Sequence, residues 1–139
     1  MIIREAETGD AVQMAELIAQ LEFEVDAPGV VERLAKLQDA GEPVLIAEIG
    51  GEVVGLLDWH VMHTIHRSRP VGRIVALVVA DRHRGKGVGR ALVVEAEARI
   101  RARGCEKMEV TSNLRLVDAH GFYEALGLER SSYRFAKDL

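Results

Sequence analysis

The residues of clearest chemical interest are Arg82-His83-Arg84-Gly85-Lys86-Gly87-Val88-Gly89-Arg90. Three glycines at alternate positions remove the Cβ atoms that would keep a ligand away from the backbone. Four cationic side chains surround them. An apolar run, Ile74-Val75-Ala76-Leu77-Val78-Val79, precedes the turn, and Val88, Leu92, Ala96 and Ile100 follow it one helical turn apart. A glycine-rich turn that opens a helix presents unpaired N–H groups at the positive end of the helix dipole, which suits an anion such as a phosphate or pyrophosphate. Arg84, Lys86 and Arg90 can add charge-assisted hydrogen bonds. The bland alternative is a surface turn with solvated charges. The spacing Gly85-x-Gly87-x-Gly89 departs from the dinucleotide pattern Gly-x-Gly-x-x-Gly, and Lys86 is followed by Gly87 where a P-loop needs Ser or Thr.

Other groups with reactive side chains are scattered. His60, His63 and His66 recur every third residue, but a strand running into a loop does not converge ligands at that spacing, and no carboxylate or cysteine pattern completes a metal site. Cys105 is the single cysteine. It follows Gly104 at the end of a helix, where the dipole is negative and does not activate a thiol, so it reads as a small buried hydrophobe.

The elements that must hold these residues follow from periodicity. Ile2 to Glu5 reads as a strand. Thr8 is the expected N-cap of a helix with Ala11, Met14, Ala15 and Ile18 on one face. Phe23 to Gly29 reads as a loop and Val30 to Ala40 as a second helix, closed by Gly41. Pro43 to Ile49 and Val53 to Val61 are strands joined by a Gly50-Gly51 hairpin. Arg73 to Val79 is a strand buried on both faces, hence central. After the glycine-rich turn and its helix, Lys107 to Thr111 is a strand, Leu116 to Leu126 a helix closed by Gly127, and Ser131 to Lys137 a last strand. The order β-α-α-β-β-β-α-β-α-β is an α+β fold with a mixed, mostly antiparallel sheet flanked by helices and a βαβ unit in its second half. With no linker or repeat, residues 1–139 read as one domain.

The chain has 139 residues, 48% of them hydrophobic and 29% charged, with a net charge of −4. That composition supports a core without disulfides or metals and disfavours a general nucleic-acid binder, which carries a basic excess. The N-terminus lacks the pattern of a signal peptide, and no apolar stretch is long enough to span a bilayer. A cytoplasmic protein with no membrane or nucleic-acid partner is the expectation.

Two blocks resemble a known family. Leu77-Val78-Val79 followed by Arg84-Gly85-Lys86-Gly87-Val88-Gly89 is similar to the central motif of the GNAT N-acetyltransferase superfamily, written Arg/Gln-x-x-Gly-x-Gly/Ala. Asn113 with Ala119-His120-Gly121-Phe122-Tyr123-Glu124-Ala125-Leu126-Gly127-Leu128 resembles the later motif. One departure is Asp81, where relatives often have Pro. The resemblance implies a splayed sheet whose gap holds the pantetheine arm of acetyl-CoA, with the pyrophosphate on the amides of Arg84 to Arg90. It implies that Leu77 to Val79 pair with pantetheine as an added strand would, with the N–H of Val79 polarising the acetyl carbonyl. It makes Tyr123 the general acid toward the leaving thiolate and gives Asn113 a contact to the coenzyme.

The acceptor is then an amine of a small molecule or peptide, which must lose a proton before it attacks. Many relatives place a Glu on the central strand for this; Arg73 to Val79 contains no acid. Asp58 and His60, on one face of the preceding strand, Glu24 and Asp26 in the first loop, or a chain of waters stay open as the base. Relatives are often homodimers through their last strands. The competing class is a non-catalytic module that binds acetyl-CoA or CoA as a sensor or interaction domain.

Overall fold

The computed structural model describes all of residues 1–139. A five-stranded sheet has the order β1-β2-β3-β4-β5. Its strands are β1 (Ile2–Glu5), β2 (Leu45–Ile49), β3 (Glu52–Met62), β4 (Val71–Val79) and β5 (Lys107–Val110). The first four are antiparallel neighbours, and β5 joins β4 in parallel. The helices are α1 (Ala11–Ala19), α2 (Ala27–Asp39), α3 (Val88–Ala102) and α4 (Val117–Ala125). None is long and apolar enough to cross a membrane.

Alternation along the strands divides the core between the two faces of the sheet. One face packs Ile46, Val53, Leu56 and Val78 against Met14 and Leu17 of α1 and Val30 and Leu34 of α2. The other packs Leu45, Val54, Leu57, Trp59 and Ile74 against Val88, Leu92, Ala96 and Ile100 of α3. Gly72 lets α3 sit down on β4: a Cβ there would lie 2.3 Å from Cγ2 of Ile100. Gly50 and Gly51 both have positive φ, 57° and 81°, as a two-residue hairpin with the twist of its strands requires.

The helix starts differ from the sequence expectation. Thr8 makes no cap. Residues Thr8–Asp10 form one tight turn, and Asp10 stands at the N-cap of α1, where its carboxylate accepts the N–H of Glu7 at 2.8 Å and both arms of the Arg4 guanidinium at 2.8 and 2.9 Å. The α2 helix begins three residues before Val30, because Asp26 accepts the N–H of Gly29 at 2.8 Å and Pro28 is compatible with a first turn.

Two expectations on strands are corrected. The β4 run is not buried on both faces throughout. Asp58 pairs with Ala76 and Trp59 with Ile74, so Val75 bulges out of register and is 54% exposed. The last strand, Ser131 to Lys137, does not form. Tyr133 and Phe135 alternate as a strand would, but they are 81% and 94% exposed, and no neighbouring strand supplies backbone partners. The chain on its own therefore builds no final edge of the kind the homodimer expectation names.

Candidate active site

The glycine-rich segment leaves β4 through a tight turn at Asp81–His83, then runs extended at Arg84. Gly85 and Gly87 take φ of 74° and 82°, a region that side chains disfavour, and Gly87 is the N-cap of α3. A Cβ at either would meet nothing in the chain, so the conformation and the open space in front of it, not internal packing, call for glycine. The first bonded amide of the helix is that of Ala91, to the carbonyl of Gly87 at 3.0 Å. The six preceding amides, Gly85 to Arg90, have no acceptor in the chain. Such a row at a helix N-terminus suits a phosphate or pyrophosphate. Arg84 lies beside it, paired with Asp81 at 3.0 Å and reaching the carbonyl of Val79 at 3.4 Å. Lys86 and Arg90 are exposed and form no ion pair, whereas Arg82 is bound to Glu52.

The next feature is a free stretch of strand edge. The β4–β5 pairing ends at Ile74 with Val110, so Val75 to Val79 have β3 on one side and no strand on the other. Ala80 donates to the carbonyl of Val54 at 2.8 Å, which makes Val79 and Gly55 a non-hydrogen-bonded pair. The N–H and C=O of Val79 therefore point away from β3. Alternation gives Leu77 the same orientation, and Val78 the opposite one. Leu77 and Val79 thus offer backbone donors and acceptors to an extended ligand in the gap. The bulge at Val75 marks where the sheet splits.

Gly89 brings α4 close: a Cβ there would lie 3.2 Å from Cζ of Phe122. Phe122 and Tyr123 pack edge to face with ring centres 5.2 Å apart. The Tyr123 hydroxyl has no hydrogen-bond partner in the chain, and burial of the ring pushes its pKa above 10. It is therefore a held, neutral phenol free to donate. Asn113 is exposed, and its side-chain oxygen accepts the N–H of Arg115 at 3.0 Å. That oxygen helps to close the turn before α4, and the amide nitrogen has no partner in the chain.

On the face that carries α1 and α2, the far end of β3 and β4 is not apolar. Asp58, His60 and Arg73 occupy it, in register with Ala76, Arg73 and Glu109 of the neighbouring strands. Arg73 is bound to Glu109 at 2.7 Å. Asp58 is part-buried with Oδ1 sealed and unpartnered; desolvation, then the charge of Glu42, raises its pKa. Sequence reasoning missed Glu42. It is 4% exposed, its Oε2 lies 2.6 Å from Nδ1 of His60, and its Oε1 accepts the N–H of Val61 at 2.9 Å. The available signal was an acid placed between the helix stop Gly41 and Pro43. Of the other candidate bases, Asp26 is spent capping α2, and Glu24 lines a shallow cleft with Phe23 and Val25. His63 and His66 are exposed in the loop after β3.

The family model for the acetyltransferase (GNAT) family matches residues 11–128. An aminoalkylphosphonate N-acetyltransferase of Salmonella typhimurium (strain LT2) is 34% identical over 139 residues, covering 99% of this chain and 90% of that one. A transcriptional regulator from Bacillus halodurans C-125 superposes with a TM-score of 0.90 at 26% identity, over 99% of both chains. An aminoglycoside N-acetyltransferase in complex with CoA has the same fold, with a TM-score of 0.88 at 19% identity over 99% of this chain and 93% of that one. The chain belongs to the GNAT family of acetyltransferases and is an N-acetyltransferase.

Proposed function

We propose that the chain binds acetyl-CoA as cosubstrate on the segment Arg84 to Arg90 and along Leu77 to Val79, and transfers its acetyl group directly to the primary amine of a small molecule or peptide. The observation that carries this reading is the conjunction of six amides without acceptors and an unpaired stretch of β4 leading up to them. The amides suit the pyrophosphate, and the strand edge suits the amide groups of pantetheine.

Within this reading the residues divide the work. The outward N–H of Val79 polarises the thioester carbonyl, and that of Leu77 pairs with the pantetheine arm. Leu77 lies one residue from Ala76, the register partner of Asp58, so it is the outward donor nearer the polar end of the sheet. Tyr123 keeps its proton until the thiolate departs and then donates it. Asn113 touches the coenzyme through its side-chain amide. For the acceptor, an aminoalkylphosphonate is the first compound to test, because the 34% identical relative is named for that substrate. The strip of Asp58, Glu42 and Glu109 with His60 and Arg73 has acids for an ammonium and cations for an anionic substituent. A single cysteine, half-buried and with its pKa raised by burial, fits action in the cytoplasm.

The test is thermal unfolding with acetyl-CoA, ATP or NAD, followed by thiol release with a panel of amines. A ligand at about 100 times its dissociation constant adds roughly 2.7 kcal/mol. Stabilisation by acetyl-CoA alone, with amine-dependent thiol release, is expected. Equal stabilisation by ATP or NAD would make the turn a general phosphate site.

A further inference from the structure

We infer that His60 is the general base of the transfer and that Glu42 is the residue that positions it; this rests on the acetyl-transfer reading above. Gly41, with φ of 75°, donates to Gln38 at 2.9 Å, and Glu42 donates to Leu37 at 3.0 Å, the paired bonds that close a helix in a Schellman motif. Pro43 follows, and its carbonyl accepts the indole N–H of Trp59 at 2.8 Å. Glu42 is thus fixed on both sides and buried beside β3.

Its two carboxylate oxygens meet two different donors. The β2–β3 pairing ends at Leu57, so the N–H of Val61 has no strand partner on that edge and Oε1 of Glu42 takes it at 2.9 Å. Oε2 then faces Nδ1 of His60 at 2.6 Å. A carboxylate held this way keeps a hydrogen on Nδ1 and leaves the lone pair on Nε2. The His60 side chain is 52% exposed while that of Glu42 is 5% exposed, so the imidazole spans from a buried anchor to the open surface. Facing it are Asp58 on its own strand and Arg73 in register on β4, the latter taken by Glu109 of β5. Asp58 is the less accessible base, because its Oδ1 is sealed from solvent without a partner, whereas the His60 side chain is 52% exposed.

The substrate ammonium gives one proton to Nε2 of His60. The freed lone pair attacks the thioester carbon, a C–N bond forms and the C–S bond breaks. The leaving sulfur takes the proton of Tyr123, and the second proton of the new amide nitrogen returns to Tyr123 through water. His60 releases its proton to solvent. Ammonium and thioester become amide, thiol and one proton.

The deciding variant is Glu42→Gln. Its side-chain oxygen can still accept from Val61, but an NH2 now meets Nδ1, which forces the hydrogen of a neutral ring onto Nε2. Long-range ¹H–¹⁵N spectra of the free protein read the tautomer directly. The wild type is expected to show protonated Nδ1, and the variant protonated Nε2. Turnover should fall by on the order of 10²-fold or more, with the KM for acetyl-CoA and the Tm unchanged. In a His60→Ala background, adding Glu42→Gln should cost nothing further, because Glu42 acts through the ring. An unchanged tautomer, a fully active E42Q, or an additive loss in the double variant would overturn the positioning role. A fully active H60A alongside a dead D58N would move the base to Asp58. If the wild type binds acetyl-CoA yet acetylates no amine, the base assignment falls with the reaction, while the tautomer result still decides whether Glu42 sets the ring.

Discussion

Replacing Tyr123 with Phe separates chemistry from folding. The substitution keeps the ring and its 5.2 Å edge-to-face contact with Phe122. It removes a hydroxyl that bonds to nothing else in the chain and whose pKa is raised by burial alone. Stability should therefore change by no more than about 0.5 kcal/mol, the range of substitutions that break no network, which is a shift of about 2 °C in Tm for a chain of this length. Turnover should fall by about 10²-fold if the hydroxyl delivers the proton to the departing thiolate, equivalent to roughly 2.7 kcal/mol of barrier. The KM for acetyl-CoA should stay where it is. The pH dependence gives a second check. Because the pKa is raised above 10, the phenol stays protonated through the neutral and mildly alkaline range. Any alkaline loss of activity below about pH 10 must come from another group and should persist in Y123F. The assay is initial-rate thiol release across pH, beside thermal unfolding of both proteins. An active Y123F would assign the proton elsewhere. A Tm lower by many degrees would mean that the hydroxyl has a structural partner and that the kinetic loss is not specific to chemistry.

Other substitutions test separate parts of the account. Arg84→Ala should weaken acetyl-CoA binding by about 1–3 kcal/mol in a titration, through loss of charge-assisted bonds; unchanged affinity would remove Arg84 from the site. Gly72→Ala places a Cβ 2.3, 2.7 and 2.8 Å from three carbons of the buried Ile100, so it should cost about 1–3 kcal/mol of stability, and Ile100→Ala in the same chain should recover part of it. An unchanged Tm would show that α3 shifts on the sheet without cost. Asp10→Asn should lower stability at neutral pH by about 2 kcal/mol. Arg4 lowers the pKa of Asp10 in the folded chain, so its contribution is present above the unfolded value of about 3.9 and is lost as pH falls below it. The gap between wild type and D10N should close in acid denaturation curves; a constant gap would contradict the ion pair.

What was legible in the sequence was local. The alternate glycines from Gly85 to Gly89, between an apolar run and a helical period, pointed to the left-handed turn at Gly85 and Gly87 and to the unbonded amides that lead into α3. The Gly50-Gly51 hairpin and the glycine stops at Gly41 and Gly127 followed from the same chemistry. The misses involve partners distant in the chain. Tyr133 and Phe135 alternate correctly, but a strand needs a neighbour, which periodicity does not supply. The bulge at Val75 comes from the register of β3 against β4, and hydrophobicity carries no record of it. Glu42 reads as one more acid after a helix; its meaning depends on His60 and Val61, 18 and 19 residues away. Asn113 looked like a coenzyme contact from its motif, while its side chain also closes the turn that leads into α4.

The most direct test of the central claim is a titration of ¹⁵N-labelled protein with acetyl-CoA, followed amide by amide. The largest shifts are expected on Gly85 to Arg90 and on Leu77 and Val79, whose N–H groups face outward, and Val78, bonded within the sheet, should move less. Saturable binding that leaves Gly85 to Arg90 unmoved would contradict the claim and place the coenzyme elsewhere on the chain.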